Sequence, residues 1–220
     1  MIFPIPQVLS PEALGQIGTA IEAAAFIDGS ATATDYAKRV KRNLQIDENH
    51  ESHAQLSQRL SQIVLDNALF QAAVWPRTLL PFRFSRYDAG MGYGEHVDDP
   101  LFRGARSDVS MTVFLSDPET YEGGELVIQW GGLERGFKLP AGDMITYPST
   151  TLHRVEPVTS GTRLVAVSWA QSYVRDPAQR ELIFDLDMAR RSLFQQHGKT
   201  PEFDALSKGV TNLLRMWAET

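Results

Sequence analysis

The chain has 220 residues, of which 43% are hydrophobic and 22% charged, a composition typical of a globular protein with one main core. It contains no cysteine, which excludes disulfides, thiolate zinc sites and a cysteine nucleophile, so any metal must be held by nitrogen and oxygen. A net charge of −6 argues against nucleic acid as a partner. No stretch is long and apolar enough for a membrane span, and the first residues lack the features of a signal peptide. We therefore expect a cytoplasmic protein with no membrane partner.

Residues 1–77 are predicted to form a mixed, mostly helical segment that packs on the core. Within this segment we predict a strand near 40–46 and a second helix from about 52 to 70. A run of basic residues at 38–42 indicates a solvated face, because short charge runs usually lie in water. The alternative is a rim that meets an acidic partner or substrate.

Residues 78–175 change character and read as short strands separated by glycine, proline and aspartate. Strands are predicted at 82–87, 108–115, 125–130, 143–147 and 163–172. Such a series of short strands with frequent turn signals is typical of a sandwich or barrel.

Residues 176–220 return to helical periodicity. Asp176 and Thr200 each precede a proline, the same start signal as Ser10 before Pro11 near the N-terminus. The apolar positions form two stripes, Leu182, Leu186, Ala189 and Leu193, then Phe203, Leu206, Val210, Leu213 and Trp217. We expect both stripes to pack on the barrel or on the N-terminal helices. The alternative is a homodimer through the C-terminal helices.

A metal site is predicted from the spacing of His96, Asp98 and His153. In a strand, residues two apart point to the same face, so His96 and Asp98 project together while Asp99 faces the other side. Two imidazoles and one carboxylate are the ligand set of non-haem iron(II) oxygenases, and they leave positions open for reactants. The other histidines, His50, His53 and His197, are not part of a comparable pattern of possible ligands. We interpret them as surface or loop residues.

Arg163 is predicted to share one strand face with Val165, Val167 and Trp169. A charge on an apolar face is costly unless it is paired. A bound carboxylate would pair it in bidentate fashion, and a buried salt bridge with a protein acid is the alternative. Arg154 is adjacent to His153 in the sequence, and its side chain is expected to point in the opposite direction to that of His153.

The run from Phe84 to Pro100 closely resembles the metal-binding segment of iron(II)/2-oxoglutarate dioxygenases of the prolyl-4-hydroxylase type. Residues 122–126, 140–143 and 153–163 are similar to the same family. With its C-terminal helices, the whole chain resembles the bacterial PKHD-type hydroxylases, some of which are associated with iron uptake. The resemblance implies a mainly β protein with flanking helices, whose core is a double-stranded β-helix of the jelly-roll or cupin-like kind.

The same resemblance implies roles for individual residues. His96, Asp98 and His153 would be the iron ligands, and Arg163 would hold the 5-carboxylate of 2-oxoglutarate. Collagen-type relatives use lysine at that last position, so Arg163 places this chain outside their branch. Tyr87 would line the 2-oxoglutarate pocket, with core packing as the alternative. We interpret Tyr93 as structural rather than functional.

Residues 100–107, which come shortly after Asp98, are predicted to form a loop that acts as a lid over the metal. Arg103 and Arg106 in this loop are predicted substrate contacts.

The implied function is hydroxylation of an unactivated C–H bond with release of succinate and carbon dioxide, with oxygen as co-substrate and ascorbate as reductant. The prime substrate stays open between a peptidyl residue, an amino acid and a siderophore-like molecule. Two rival functions are a cupin-like metalloenzyme that does not use 2-oxoglutarate and a non-catalytic iron-binding or sensing module. The acidic balance disfavours a third, a nucleic-acid demethylase.

Overall fold

The computed structural model describes residues 1–32 and 35–220, apart from the side chain of Asp35. The three helices with a predicted cap before a proline begin where the sequence predicts. The Ser10 hydroxyl accepts the Ala13 N–H at 3.1 Å, and the side chains of Asp176 and Thr200 cap the two C-terminal helices in the same way. The helices of the described part are α1 (Pro11–Glu22), α2 (Asp35–Lys38), α3 (Glu51–Asp66), α4 (Ala68–Val74), α5 (Pro177–His197) and α6 (Pro201–Trp217). None of them is long and apolar enough to cross a membrane.

The helix predicted from 52 to 70 is divided into α3 and α4. At Asn67 the backbone leaves the helical region, and the side-chain oxygen accepts the N–H groups of Leu69 and Phe70 at 3.0 Å. Asparagine competes with helical hydrogen bonding in this way and starts a new helix. The prediction of one continuous helix was therefore wrong at its C-terminal end.

Two antiparallel sheets form the core, and a two-stranded hairpin lies beside them. The larger sheet has the order β1-β14-β10-β16-β6-β4-β2, and both β5 and β11 also pair with β16. The smaller sheet has the order β13-β12-β15-β7-β3, and β8 pairs with β9 in the hairpin. The strands are β1 (Phe3–Ile5), β2 (Phe26–Asp28), β3 (Lys41–Arg42), β4 (Leu44–Ile46), β5 (Pro76–Leu79), β6 (Arg83–Asp88), β7 (Gly92–His96), β8 (Leu101–Phe102), β9 (Ala105–Arg106), β10 (Val109–Phe114), β11 (Tyr121–Gly123), β12 (Leu126–Trp130), β13 (Leu133–Phe137), β14 (Met144–Pro148), β15 (His153–Val155) and β16 (Val158–Ser172).

The space between the sheets is filled from both sides. Phe114 and Ile145 of the larger sheet lie in one buried cluster with Leu126 and Ile128 of the smaller sheet. This arrangement confirms a mainly β core with flanking helices. The strand predicted near 40–46 is present but broken into β3 and β4, so that it reaches both sheets.

The N-terminal helices cover the outer face of the larger sheet. Ile17, Leu60 and Phe70 pack there against Phe84 and Met111 in a second buried cluster. With both faces covered, all six residues of β10 are buried, as expected for a central strand. Each apolar side chain of β10 contributes roughly 1.5–3 kcal/mol by leaving water.

The C-terminal helices confirm one predicted stripe and correct the other. On α6, Val210, Leu213 and Trp217 form a packed stripe as predicted, but the stripe packs against Ile183 and Leu186 of α5 rather than mainly on the barrel or the N-terminal helices. On α5, Leu182 is 45% exposed, whereas Ile183 is buried against α6. Phe184, the next residue after Ile183, packs on the N-terminal strand β1. Ile183 and Phe184 together define the buried face of α5. The homodimer and the division into three segments stay predictions.

Candidate active site

Strand pairing brings the three predicted metal ligands together. His96 ends β7 and His153 begins β15, and the two are register partners in the smaller sheet. Their ring centres are 4.2 Å apart, and Oδ2 of Asp98 lies 3.7 Å from Nε2 of His153. One ligand atom from each of the three side chains lies within 4.8 Å of the others.

The local reason for this proximity differs from the prediction. The strand ends at His96, so the alternation of a strand does not place Asp98 beside it. The carboxylate is instead oriented by β10, where the Ser110 hydroxyl donates to Asp98 Oδ2 and is itself 2.7 Å from Ser149 Oγ. Asp99 remains exposed at the cavity rim.

Both imidazoles are prepared to offer Nε2 to a metal. Nδ1 of His96 lies 2.8 Å from the Gly94 carbonyl oxygen, and Nδ1 of His153 lies 3.0 Å from that of Thr151. A carbonyl can only accept, so each Nδ1 carries the proton and each Nε2 has a free lone pair. Burial, together with the neighbouring His153 ring, lowers the pKa of His96 to about 4, which keeps this ring neutral at pH 7.

Two tyrosines hold the imidazole rings in place. Tyr93 stacks on His96 with ring centres 3.6 Å apart, and Tyr147 meets His153 edge-on at 5.0 Å. Both line the cavity that the triad faces. Tyr93 therefore lies in the site itself, which the sequence-based interpretation of Tyr93 as a structural residue did not include. Tyr147 was missed because its position depends on the pairing of β14 with β10.

Arg163 places a positive charge inside the protein core. It is 1% exposed, and among the described residues its Nε and Nη1 have no hydrogen-bond partner and its guanidinium forms no ion pair. Its Cζ lies 5.1 Å from the centre of the Tyr87 ring and 5.7 Å from that of Phe114. A buried guanidinium held only by aromatic faces requires an anionic partner, and Arg163 lines the same cavity as the triad.

Tyr87 and Tyr121 complete the surroundings of Arg163. Tyr87 is the register partner of Arg163 across β6 and β16, and its side chain lines the cavity. Burial raises the pKa of both tyrosines, so each stays a neutral phenol. The hydroxyl of Tyr121 is buried with no hydrogen-bond partner in the described part of the chain. No sequence pattern pointed to Tyr121 beyond its place shortly before the turn at Gly123 and Gly124.

The outer wall of the cavity includes part of the basic run at 38–42, as in the alternative interpretation of that run as a rim. Lys41, Asn43 and Gln45 line it from the N-terminal segment. The basic run at 38–42 is solvated only in part, because Lys41 is buried and 7% exposed. Its burial results from the pairing of β3 with β7, a contact between distant parts of the sequence.

The segment 100–107 is a short hairpin of β8 and β9 rather than a loop. Phe102 lines the cavity, whereas the two arginines point elsewhere. Arg103 pairs with Glu48 at 2.7 Å, and Arg106 pairs with Asp108 at 3.2 Å and Glu219 at 3.0 Å. Neither arginine lines the cavity that the triad faces, and their role as substrate contacts stays a prediction.

Of the remaining predictions on ionisable side chains, the one on Arg154 is confirmed and the one on His53 is wrong. Arg154 points away from the cavity, as predicted, and pairs with Glu134 and Glu156. His53 is not a surface residue, since it is 4% exposed with its ring 6.0 Å from that of Phe84. It lies on the face of α3 that covers the larger sheet, three and seven residues before the buried Leu56 and Leu60, so its helical spacing could have indicated its burial.

Comparison with known proteins agrees with this geometry. Residues 82–171 match the family model of the 2OG-Fe(II) oxygenase superfamily, and residues 177–219 match that of the PKHD-type hydroxylase C-terminal domain. A PKHD-type hydroxylase of Picosynechococcus sp. is 56% identical over 219 residues, and one of Gloeothece citriformis is 53% identical over 221 residues. Each alignment covers 100% of both chains.

Among solved structures, a prolyl hydroxylase from Trichoplax adhaerens, in complex with a hypoxia inducible factor peptide fragment, superposes with a TM-score of 0.58. The match has 17% sequence identity and covers 82% of this chain and 86% of that chain, a likeness that shows the fold. The fold is the double-stranded β-helix, and the full-length relatives show that the chain belongs to the PKHD-type hydroxylases, oxidoreductases of the 2OG-Fe(II) oxygenase superfamily.

Proposed function

We propose that this protein is an iron(II)- and 2-oxoglutarate-dependent dioxygenase that hydroxylates an unactivated C–H bond of a small-molecule or peptidyl substrate. Succinate and carbon dioxide are the co-products. The observation that supports this proposal best is the buried Arg163, which has no acidic partner among the described side chains and opens on the same cavity as His96, Asp98 and His153. A metal site alone would not need that charge.

The three side chains fit iron(II). Two imidazole nitrogens and one carboxylate oxygen form the donor set of a facial triad, and its open positions accept small ligands. The carbonyls of Gly94 and Thr151 fix the tautomers, and Ser110 fixes the carboxylate. When bound, iron(II) would activate dioxygen, which is the oxidant, while 2-oxoglutarate would give up two electrons on decarboxylation, so that one oxygen atom ends in succinate and the other in the hydroxylated product.

Arg163 fits the far carboxylate of 2-oxoglutarate. Its planar fork matches a carboxylate in bidentate fashion, better than the ammonium of a lysine would. The rings of Tyr87 and Phe114 hold the guanidinium, and the buried hydroxyl of Tyr121 is a free donor nearby. We assign Tyr87 to the wall of this co-substrate pocket.

The remaining contribution of the protein is orientation and exclusion of water. Tyr93 and Tyr147 hold the ligand imidazoles at their ring faces and edges, and Leu126 and Val155 add apolar surface to the cavity wall. A site held in this way fixes the reacting groups before the reaction begins. Ascorbate is the proposed reductant that keeps the iron in its ferrous state.

The test is an anaerobic titration of the metal-free protein with iron(II) and then 2-oxoglutarate, followed through the visible metal-to-ligand charge-transfer band. Arg163→Ala is titrated in parallel, with Arg135→Ala on the exposed strand β13 as matched control. We expect the band in the wild type and in Arg135→Ala, and a 2-oxoglutarate affinity lowered about tenfold or more in Arg163→Ala, since hydrogen bonds to charged groups contribute about 1.5–3 kcal/mol.

Two results would contradict this proposed function and favour one of its rivals. Stoichiometric iron binding without any band would favour the cupin-like metalloenzyme that does not use 2-oxoglutarate. A band that is present while no added substrate ever releases succinate would favour the non-catalytic iron-binding module.

A further inference from the structure

The N-terminal wall of the cavity presents three polar side chains in register. Lys41, Asn43 and Gln45 all line the cavity, while Arg42 between them is exposed. Residues two apart in extended chain share a face, so the passage from β3 to β4 aims every second side chain inward. None of these three residues belongs to the metal or co-substrate site described above.

Lys41 is a buried cation whose nearest partners are neutral. Its Nζ donates to the Thr32 hydroxyl at 2.9 Å, and no carboxylate of the described side chains lies within 4.0 Å of it. Among the described side chains, this one hydrogen bond leaves two protons of the ammonium without a partner. Burial accordingly lowers the pKa of Lys41 to about 8. Such a group gains from an anion that enters the cavity.

The position of Lys41 suits a substrate rather than the co-substrate. Its Nζ lies 5.4 Å from the centre of the Tyr93 ring, and that ring stacks on His96 at 3.6 Å. Lys41 therefore lies next to the metal site through the smaller sheet, whereas Arg163 belongs to the larger sheet. Lys41 and Arg163 therefore line the cavity from different sheets.

Arg83 adds to the positive charge of this wall. Its Nε pairs with Glu48 at 2.6 Å, and its guanidinium lies 4.4 Å from the centre of the Phe102 ring. Glu48 is shared with Arg103 at 2.7 Å. One carboxylate therefore serves two guanidinium groups, and Lys41 adds a third cation beside them.

Asn43 lies two residues beyond Lys41 along the same wall of the cavity, with its side chain beside Tyr87. It is 3% exposed, and neither its Nδ2 nor its Oδ1 has a hydrogen-bond partner in the described ranges. A buried amide without partners is costly, and a ligand that accepts from Nδ2 would satisfy it.

We propose that Lys41 and Asn43 form the subsite for the prime substrate and that this substrate carries a carboxylate. The proposal rests on the function proposed above, with Arg163 reserved for 2-oxoglutarate. The carboxylate binds the Lys41 ammonium and the Asn43 amide, and the C–H bond to be hydroxylated then lies beside the metal ligands. The carboxylate belongs either to a free small acid or to an acidic side chain of a peptide.

The experiment measures whether the loaded protein prefers carboxylates. Protein with iron(II) and 2-oxoglutarate, under argon, is titrated calorimetrically with two matched pairs of probes. One pair is N-acetylglycine and N-acetylglycinamide, and the other is a blocked pentapeptide with a central glutamate and its glutamine counterpart. Lys41→Met is compared with Lys38→Met, a matched control on the exposed part of the same basic run.

We expect at least one acid to bind about tenfold or more tightly than its amide in the wild type and in Lys38→Met, and Lys41→Met to lose this preference. A preference confined to the first pair identifies a free acid as the source, and one confined to the second pair identifies a peptide. Equal affinity within both pairs, including no binding by any probe, overturns the proposal, as does a preference that Lys41→Met keeps.

The charge-transfer band separates this proposal from the function on which it rests. A wild-type protein without the band contradicts the 2-oxoglutarate-dependent function itself. A wild-type protein with the band but without the preference contradicts the carboxylate subsite alone. Retention of the band in Lys41→Met shows that this variant is folded with an intact metal site.

Discussion

Oδ2 of Asp98 receives a hydrogen bond from the Ser110 hydroxyl and lies 3.7 Å from Nε2 of His153, so that both sheets contribute to the metal site. His153 and His96 come from neighbouring strands of the smaller sheet, whereas Ser110 lies on β10 of the larger sheet. The chain leaves its strand at His96 and has no strand geometry at Asp98. Ser110 is therefore the contact that fixes the carboxylate.

The first prediction concerns this positioning residue. Ser110→Ala removes the donor to Asp98 and leaves the three ligands in place, so we expect iron(II) affinity to fall about 10- to 100-fold. Anaerobic metal titration measures the effect. Ser85→Ala is the matched control, because Ser85 also lines the cavity but bonds Gln45. Equal affinity in Ser110→Ala and Ser85→Ala would show that Asp98 needs no such support.

The second prediction concerns Gly124, which packs on Arg163. A Cβ at Gly124 would lie 3.0 Å from Cδ of Arg163 and 2.9 Å from Cγ2 of Val158. Gly124→Ala crowds both Val158 and the Arg163 side chain, and we expect 2-oxoglutarate affinity to fall about tenfold as the hydrogen bonds of Arg163 are misaligned. The charge-transfer titration measures this loss.

Gly131→Ala is the control for backbone strain in that experiment. Gly131 has φ +59° and Gly124 has φ +69°, so alanine is strained by about 1–2 kcal/mol at either position. Around Gly131, however, a Cβ meets no described atom within 4 Å. Equal 2-oxoglutarate affinity in the two variants would mean that the contact with Arg163 has no influence on the pocket.

Much of the site could be predicted from the sequence because its residue types are informative. His96, Asp98 and His153 limit the metal chemistry, and a lone arginine among apolar residues predicts an anionic ligand. Helix starts at Ser10, Asp176 and Thr200 depend on local hydrogen bonds, and they were predicted correctly for that reason.

The parts that were predicted wrongly depend on contacts between distant residues. Lys41 is buried because a strand of two residues pairs with β7, and the basic run around it carries no sign of that pairing. Leu182 fits the helical period as well as Ile183 does, and only the positions of α6 and β1 decide which is buried. Asn67 is an exception, since its capping ability was visible in the sequence and was overlooked.

The third prediction is a pH dependence of stability in the metal-free protein. The pKa of His96 is about 4 in the folded state against 6.5 for an ordinary histidine, mainly through burial. Between these values the unfolded chain binds a proton at His96 that the folded chain does not, so stability is lost as the pH falls from 6.5 to 4 and is fully present above 6.5. Urea unfolding at a series of pH values measures this slope.

The comparison for that slope is His96→Gln, which removes the titrating group. We expect this variant to lose less stability than the wild type between pH 6.5 and 4, while the two curves run parallel above pH 6.5. Identical slopes over the whole range would show that His96 does not resist protonation in the folded protein.

The fourth prediction is inhibition by zinc. The site offers two imidazoles and a carboxylate, and for such donors zinc lies above iron(II) in the Irving–Williams order. Zinc should therefore bind at least as tightly, and because it does not change oxidation state it cannot support the oxidation. We expect excess zinc to abolish succinate release, with recovery after chelation and renewed loading with iron(II).

Magnesium at the same concentration is the control for that inhibition. It prefers a shell of oxygen ligands and water and competes poorly for imidazole nitrogens, so turnover should be unaffected. Turnover that persists in excess zinc would mean either that zinc does not reach His96, Asp98 and His153 or that these residues do not bind the working metal. Metal analysis of the zinc-treated protein separates the two, because bound zinc with full activity would contradict the assigned ligands themselves.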